Sequence, residues 1–212
     1  MGARAIRVLL VDDHAIARGG VRLMLETCAD FQVVGEADSA PAALSVLART
    51  EVDVALVDIG LPGKNGLELL VQLRSEKPTL AVIMLSAHPE EMYGVRALKA
   101  GAAGYLTKDA PTPLLLAAVR RVAAGHKFIG AELAERLTLA VCGAGVADHE
   151  LLSDREFDVM KRLASGESLV DIGQALFLSP KTITTYRTRV LEKMGFSCNA
   201  QLTRYALEQG LI

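Results

Sequence analysis

Five short runs rich in Val, Ile, Leu and Ala, near residues 6–11, 31–36, 53–57, 81–85 and 103–106, alternate with amphipathic stretches near 15–27, 39–49, 66–75, 90–99 and 112–124. A continuous apolar run suits a strand covered on both faces by helices. Regular alternation with helical patterns implies parallel strands joined by helical crossovers. The first half of the chain is therefore expected to be α/β, a doubly wound five-stranded parallel sheet. Pro62-Gly63-Lys64-Asn65-Gly66 supplies a turn-rich loop ahead of the third helix.

Four of the runs end in polar residues. Val8–Val11 leads into Asp12 and Asp13, Val54–Val57 into Asp58, Val82–Leu85 into Ser86, and Gly104–Thr107 into Lys108. Open parallel sheets bind ligands just beyond the carboxyl ends of their strands, so these groups are expected to converge. A carboxylate is a competent nucleophile toward a phosphoryl group, which makes Asp58, after a central strand, the expected acceptor. Asp12 and Asp13 add negative charge that a cation must relieve. Mg²⁺ suits carboxylates, water and phosphate oxygens and would offset charge developing in phosphoryl transfer. Lys108 could pair with phosphoryl oxygens, and Ser86 could hydrogen-bond one of them. Taken singly, an Asp after a strand is a turn former and a Lys a solvated charge; four such endings in chain order argue for a pocket. His14 is expected to be a surface or packing residue, because Mg²⁺ prefers oxygen.

Beyond residue 150 the strand signal disappears. A short helix is expected at 131–140, and Val141–Asp148, small and glycine-containing, reads as a linker. Helices are expected near 154–165, 169–176, 180–194 and 200–208. Ser153 with Glu156 three positions on is a capping pattern. Ser179-Pro180 combines a helix cap with proline at the first helical position. Phe157, Met160, Leu163, Ala164, Ile172, Ala175, Leu176, Ile183, Val190, Leu191 and Met194 recur at helical spacing and should form a small core. The expected organisation is an α/β domain at 1–127, a connecting segment at 128–150, and an all-α four-helix domain at 151–212.

The 180–194 helix carries Lys181, Arg187, Arg189 and Lys193 against one acid, Glu192. Thr182, Thr184, Thr185, Tyr186 and Thr188 line the rest of its surface. Threonine is a mediocre helix former, so several in one helix point to an interface. Basic side chains on phosphates and short hydroxyl side chains at base edges suit the DNA major groove. With the preceding helix it would form a helix-turn-helix.

Composition sets bounds on this reading. At 51% hydrophobic and 23% charged, the chain is globular rather than disordered. Its net charge of −2 gives no overall basic field, so any nucleic-acid signal is local. No apolar stretch is long enough to cross a bilayer, and no secretory leader is expected ahead of the first strand. Cys28, Cys142 and Cys198 are scattered, with neither metal-ligand nor disulfide spacing, which favours a cytoplasmic setting. Cys28 and Cys198 are expected to be small core residues.

The motifs together resemble a known family. Val11-Asp-Asp-His14, Asp58-Ile-Gly-Leu-Pro-Gly-Lys-Asn-Gly66, Leu85-Ser-Ala87 and Gly104-Tyr-Leu-Thr-Lys-Asp109 resemble the signature of two-component receiver domains, which have a flavodoxin-like fold. Leu152-Ser-Asp-Arg-Glu156, Asp171-Ile-Gly173, Leu178-Ser-Pro-Lys-Thr-Ile183 and Leu191-Glu-Lys-Met-Gly195 resemble the LuxR-type helix-turn-helix. Together they resemble the NarL/FixJ response regulators, with 184–194 closest to a GacA/UvrY-like branch. The resemblance implies phosphorylation of Asp58 by a sensor histidine kinase. It implies Mg²⁺ bound by Asp12, Asp13, Asp58 and the Gly60 carbonyl. Ser86 and Tyr105 would be switch residues and Lys108 a phosphate partner. It further implies a homodimer on phosphorylation and double-stranded promoter DNA as target. Base-facing positions fall on Thr184, Thr185 and Thr188; Lys181 and Arg187 face phosphates, with Thr182, Arg189 and Lys193 also on the helix. The family often has Lys or Arg where Thr184 stands, and proline after the conserved lysine where this chain has Asp109.

The expected function is thus a cytoplasmic, phosphorylation-switched transcription factor, not an enzyme and not membrane-bound. Two alternatives are a DNA-binding regulator that works without phosphate and an aspartyl phosphohydrolase. Such hydrolases commonly place a second acid two residues past the nucleophile, where this chain has Gly60. A small-molecule quorum sensor fits less well, because the receiver-like half occupies the amino-terminal part and the chain has no Trp.

Overall fold

A computed structural model of the chain describes residues 4–87, 90–130, 133–135 and 148–212. The chain divides into two compact units, Met1–Leu137 and Thr138–Ile212. In the first, β1 (Ile6–Val11), β2 (Phe31–Ala37), β3 (Val54–Asp58), β4 (Ala81–Ser86) and β5 (Gly104–Thr107) form one sheet in the order β2-β1-β3-β4-β5. Every pair is parallel. The intervening helices are α1 (Ala15–Glu26), α2 (Ala40–Leu47), α3 (Gly66–Glu76), α4 (Glu90–Lys99) and α5 (Thr112–Ala123).

The apolar runs are continuous because both sheet faces are covered. Val8, Leu10, Leu56, Ile83, Leu85 and Leu106 pack with Leu25 of α1 and Leu115, Val119 and Val122 of α5. The alternate positions Leu9, Val11, Ala55 and Val57 are equally buried. Each fully buried Leu or Val side chain contributes about 1.5–3 kcal/mol, so the central strands are the most firmly held part of the unit.

Strand order places the change of crossover direction between β1 and β3, where a crevice opens at the carboxyl ends. The strands run one residue further than the apolar pattern suggests: Asp58, Ser86 and Thr107 are the last residues of β3, β4 and β5. The ladder explains this, since Ile59 N–H donates to Leu85 O at 3.0 Å and Lys108 N–H to Ser86 O at 2.7 Å. Helix α2 is shorter than the expected 39–49, because Arg49 N–H turns to Val46 O and tightens the last turn.

Among the described residues the second unit opens on a short 3₁₀ turn, Asp148–Leu151, so Asp148 lies in regular structure rather than in the expected linker. Four helices follow: α6 (Asp154–Ala164), α7 (Leu169–Leu176), α8 (Pro180–Met194) and α9 (Asn199–Glu208). Phe157, Met160, Leu163, Ile172, Leu176, Ile183, Val190, Met194 and Leu202 form their core. Ala175, expected inside, is exposed. Gly173 makes the close contact instead: a Cβ there would lie 2.7 Å from Leu178 O. Glycine is thus what lets the α7–α8 turn fold back onto α7.

Of the expected short helix at 131–140, residues 133–135 are helical and the rest lie outside the described residues, as does the expected linker over 141–147. Phe128 bridges to Gly104 at the edge of β5. Cys28 is half-buried against the core, whereas Cys198 is exposed, contrary to expectation. It precedes α9 as its N-cap, a position at the helix surface. Cys142 lies outside the described residues. Among the described residues no helix is long and apolar enough to cross a membrane.

Candidate functional site

At the carboxyl edge of the sheet, β1 delivers Asp12 and Asp13, β3 delivers Asp58, β4 Ser86 and β5 Lys108. Asp12, Asp58 and Ser86 are 4%, 3% and 1% exposed. Lys108 Nζ lies 2.8 Å from Asp12 Oδ2 and 2.9 Å from Asp58 Oδ2, bridging the two carboxylates. Burial pushes the Asp58 carboxyl above the usual range, while the hydrogen bond and charge of Lys108 pull it back and the Asp12 charge adds to the rise. Burial also opposes the Lys108 ammonium, but the hydrogen bonds it donates to Asp12 and Asp58 outweigh burial and raise its pKa.

Local backbone geometry fixes these groups. Gly60 N–H donates to the Asp58 side chain. Asn65 and Glu68 form a reciprocal capping box at the start of α3. Gly66 N–H donates to Ile59 O at 2.9 Å. A Cβ on Gly66 would sit 2.0 Å from Asp58 O, so only glycine lets α3 begin against the strand that carries Asp58. The β1–α1 loop is held through Asp12, whose Oδ1 accepts from His14 N–H at 2.8 Å. Arg18 reaches the same loop: Nη1 donates to Asp12 O at 2.5 Å, and Nε donates to Glu36 Oε2 at 2.9 Å on β2. Sequence reasoning missed Arg18. Its signal was faint, a lone Arg one turn into an amphipathic helix.

Asp12, Asp13, His14 and Asp58 each place a ligand atom within 4.8 Å of the others. The carboxylates are hard oxygen donors suited to a small divalent cation. Clustered acids beside one lysine are also the arrangement that cation binding would relieve. His14 Nδ1 stands 2.7 Å from Asp13 Oδ1 on an otherwise exposed side chain. Tyr105, on β5 beside Met84, is fully buried, and Lys108, just past the end of the same strand, points into the pocket.

In the second unit, capping shapes the candidate DNA-facing helix. Ser179 accepts from Thr182 N–H, Pro180 occupies the first turn, and Gly195 closes α8 in the left-handed region. Ile183, Val190, Leu191 and Met194 are buried, which turns Lys181, Thr184, Thr185, Thr188 and Arg189 to solvent. The other predicted contact residues are engaged within the unit. Arg187 Nε donates to Asn199 Oδ1 at 2.7 Å. Thr182 Oγ1 and the capping Ser179 Oγ are 2.8 Å apart. Lys193 Nζ lies 2.6 Å from Glu156 Oε2.

Glu156 does more than the capping pattern suggested. It completes the capping box of α6 with Ser153, is 4% exposed, and ties α6 to α8 through Lys193. Burial alone would raise its pKa. The hydrogen bonds from Lys193 and Ser153 outweigh burial and hold the carboxyl below 4.5. This partnership spans 37 residues of sequence, beyond any local spacing rule.

Comparison with known proteins agrees with both halves of this geometry. The response regulator receiver domain family matches residues 8–120, and the luxR family of bacterial regulatory proteins matches residues 150–206. The response regulator GacA of Pseudomonas viridiflava is 36% identical over 209 residues, which cover 98% of each chain. The response regulator UvrY of Escherichia coli K12 is 35% identical over 208 residues, covering 97% of this chain and 95% of its own. Among solved structures, RcsB of Salmonella enterica serovar Typhimurium, bound to promoter P1flhDC in the presence of phosphomimetic BeF3⁻, superposes with a TM-score of 0.67. It is 25% identical, with 95% of this chain and 98% of RcsB covered.

Proposed function

The chain belongs to the response regulators that join a receiver domain to a LuxR-type DNA-binding domain, and from that membership we propose that phosphorylation of Asp58 by a sensor histidine kinase switches promoter binding by α8. The domain division that goes with this reading is a receiver at 1–127, a connection at 128–150 and a helix-turn-helix domain at 151–212. The observation that carries it is the Lys108 ammonium held between Asp12 and Asp58 in a pocket closed by buried Ser86.

The chemistry follows from the positions of the groups. An Asp58 carboxylate oxygen attacks phosphorus, the bond from phosphorus to the donor's leaving atom breaks, and an acyl phosphate forms. Lys108 is within reach of the new phosphoryl oxygens, and Ser86, at the end of the adjacent strand, can donate its hydroxyl to one of them. Asp12, Asp13, Asp58 and the Gly60 carbonyl are the groups that would hold Mg²⁺, which when bound neutralises charge on the transferring phosphoryl group. Withdrawing Lys108 and Ser86 toward phosphate changes what surrounds the buried Tyr105. That is the route by which the receiver surface would register phosphorylation.

In the second domain, Lys181 and Arg187, with Arg189 beside them, would meet phosphates, and Thr184, Thr185 and Thr188 base edges. RcsB, a structural relative, is known bound to promoter DNA with a phosphomimetic, which supports the same order of events here. Phosphorylation is expected to bring two copies together so that two α8 helices meet two half-sites. A regulator that reads chromosomal DNA works in the cytoplasm.

The reading is of a switch rather than an enzyme: the position two residues past Asp58, where an aspartyl phosphohydrolase carries its acid, is Gly60. Radiolabelled acetyl phosphate tests both points. Wild type should take up about one label per chain in Mg²⁺, take up none when Mg²⁺ is chelated beforehand, and show none as Asp58→Asn. Equal labelling of Asp58→Asn, or many turnovers of a phosphate ester, would contradict the proposal.

A further inference from the structure

Three of the four threonines of α8, Thr184, Thr185 and Thr188, do not present their hydroxyl protons to solvent. Thr184 Oγ1 donates to Pro180 O at 3.0 Å, Thr185 Oγ1 to Lys181 O at 3.2 Å, and Thr188 Oγ1 to Thr184 O at 3.1 Å. Each hydroxyl has one proton, and in all three it is spent on the carbonyl four residues back. With Lys181 they fall at spacings of three, four and seven, on one helix face opposite the buried Ile183, Val190 and Met194. What these side chains offer outward is therefore a methyl group and acceptor lone pairs, and no donor.

That restricts which base they can read. In the major groove guanine presents two acceptors, N7 and O6, which require a donor. Adenine and cytosine present amino donors that a threonine lone pair could accept, whereas thymine alone presents a C5-methyl, which requires an apolar contact. Donors for guanine or phosphate remain on Lys181 and Arg189, which have no ion-pair partner among the described residues, unlike Lys193, and on the Arg187 guanidinium, whose Nε alone is bound to Asn199. We propose that Thr184, Thr185 and Thr188 recognise thymine through their methyl groups, so that the operator carries T·A pairs beneath this face. The inference rests on the reading above that α8 enters the major groove.

The test uses the full chain with Mg²⁺ and acetyl phosphate and a random-sequence duplex pool. Sites recovered by selection are resynthesised with deoxyuridine at each thymine in turn, which removes only the C5-methyl. One or more core thymines should be sensitive, with affinity falling roughly fourfold per lost methyl. The matching Thr→Val variant should keep its affinity. The matching Thr→Ser variant, which keeps the hydroxyl, should bind about as weakly as the deoxyuridine duplex binds wild type and lose nothing further on that duplex. Selected sites insensitive to deoxyuridine would overturn this inference and leave DNA reading intact. So would a Thr→Val loss with Thr→Ser neutral, since the hydroxyl would then be the reader. A pool that enriches no sequence would overturn the DNA-reading proposal, and this inference with it.

Discussion

Two lysines show how differently the two units use a cation. Lys108 lies between Asp12 and Asp58, its ammonium shared by carboxylates that are almost wholly buried. Lys181, on α8, is exposed, and its ammonium has no ion-pair partner among the described residues. The receiver pocket draws its groups from the ends of four strands, so its geometry is a property of the whole sheet. The α8 face comes from one continuous segment, and even its threonine hydroxyls are satisfied within it. A pocket assembled this way should fail when any supporting contact is disturbed. A face built this way should lose function one contact at a time, with little loss of stability.

Gly66→Ala is the harshest way to break the pocket side of that contrast. The new Cβ would collide with Asp58 O, 2.0 Å away. We expect a loss of about 3 kcal/mol in denaturant unfolding of the receiver, together with loss of acetyl-phosphate labelling. Retained labelling would show that the α3 entry is not what fixes Asp58.

Glu156→Ala probes whether the second unit has a buried support of its own. It removes the capping box of α6 and the tie to Lys193 on α8. The expected cost is about 2–3 kcal/mol, read by unfolding of the second unit. Because the folded-state pKa of Glu156 is depressed, its contribution is fully present at neutral pH and is lost as pH falls below the ordinary value of 4.5. Wild type should therefore lose stability more steeply than the variant on acidification below that point.

Arg18→Ala tests support of the pocket from outside it. With its bonds to Asp12 O and Glu36 gone, Mg²⁺ affinity should fall about tenfold, measured by titration, with the sheet core intact. Unchanged affinity would mean the Asp12–His14 hydrogen bond alone holds the loop. Ser179→Ala is the mildest: loss of the α8 cap should cost about 1 kcal/mol, with labelling of Asp58 unaffected.

The same contrast explains what the sequence could and could not reveal. The five strands and the converging polar ends were legible because each is written locally, as an apolar run and its next residue. The α8 face was legible from its 3.6-residue period and the Ser179-Pro180 start. Strand order was not, since alternation alone does not say where the chain reverses direction. Partnerships across the fold were hidden too: Lys193 with Glu156, Arg187 with Asn199, and Arg18 with the Asp12 backbone have no spacing rule to announce them. Ala175 misled because its helical phase is apolar, yet the tight α7–α8 turn brings Gly173 to the contact instead. Cys198 misled because a small apolar residue at a helix start is as readily a surface cap as a core filler.

The claim that joins the two units is that Asp58 governs α8. Its most direct test is the affinity of the full chain for a selected operator duplex, measured with and without acetyl phosphate in Mg²⁺, for wild type and Asp58→Ala. The account predicts that phosphodonor tightens binding by wild type and leaves Asp58→Ala unchanged at the weaker value. Equal affinity of both proteins under both conditions would contradict it.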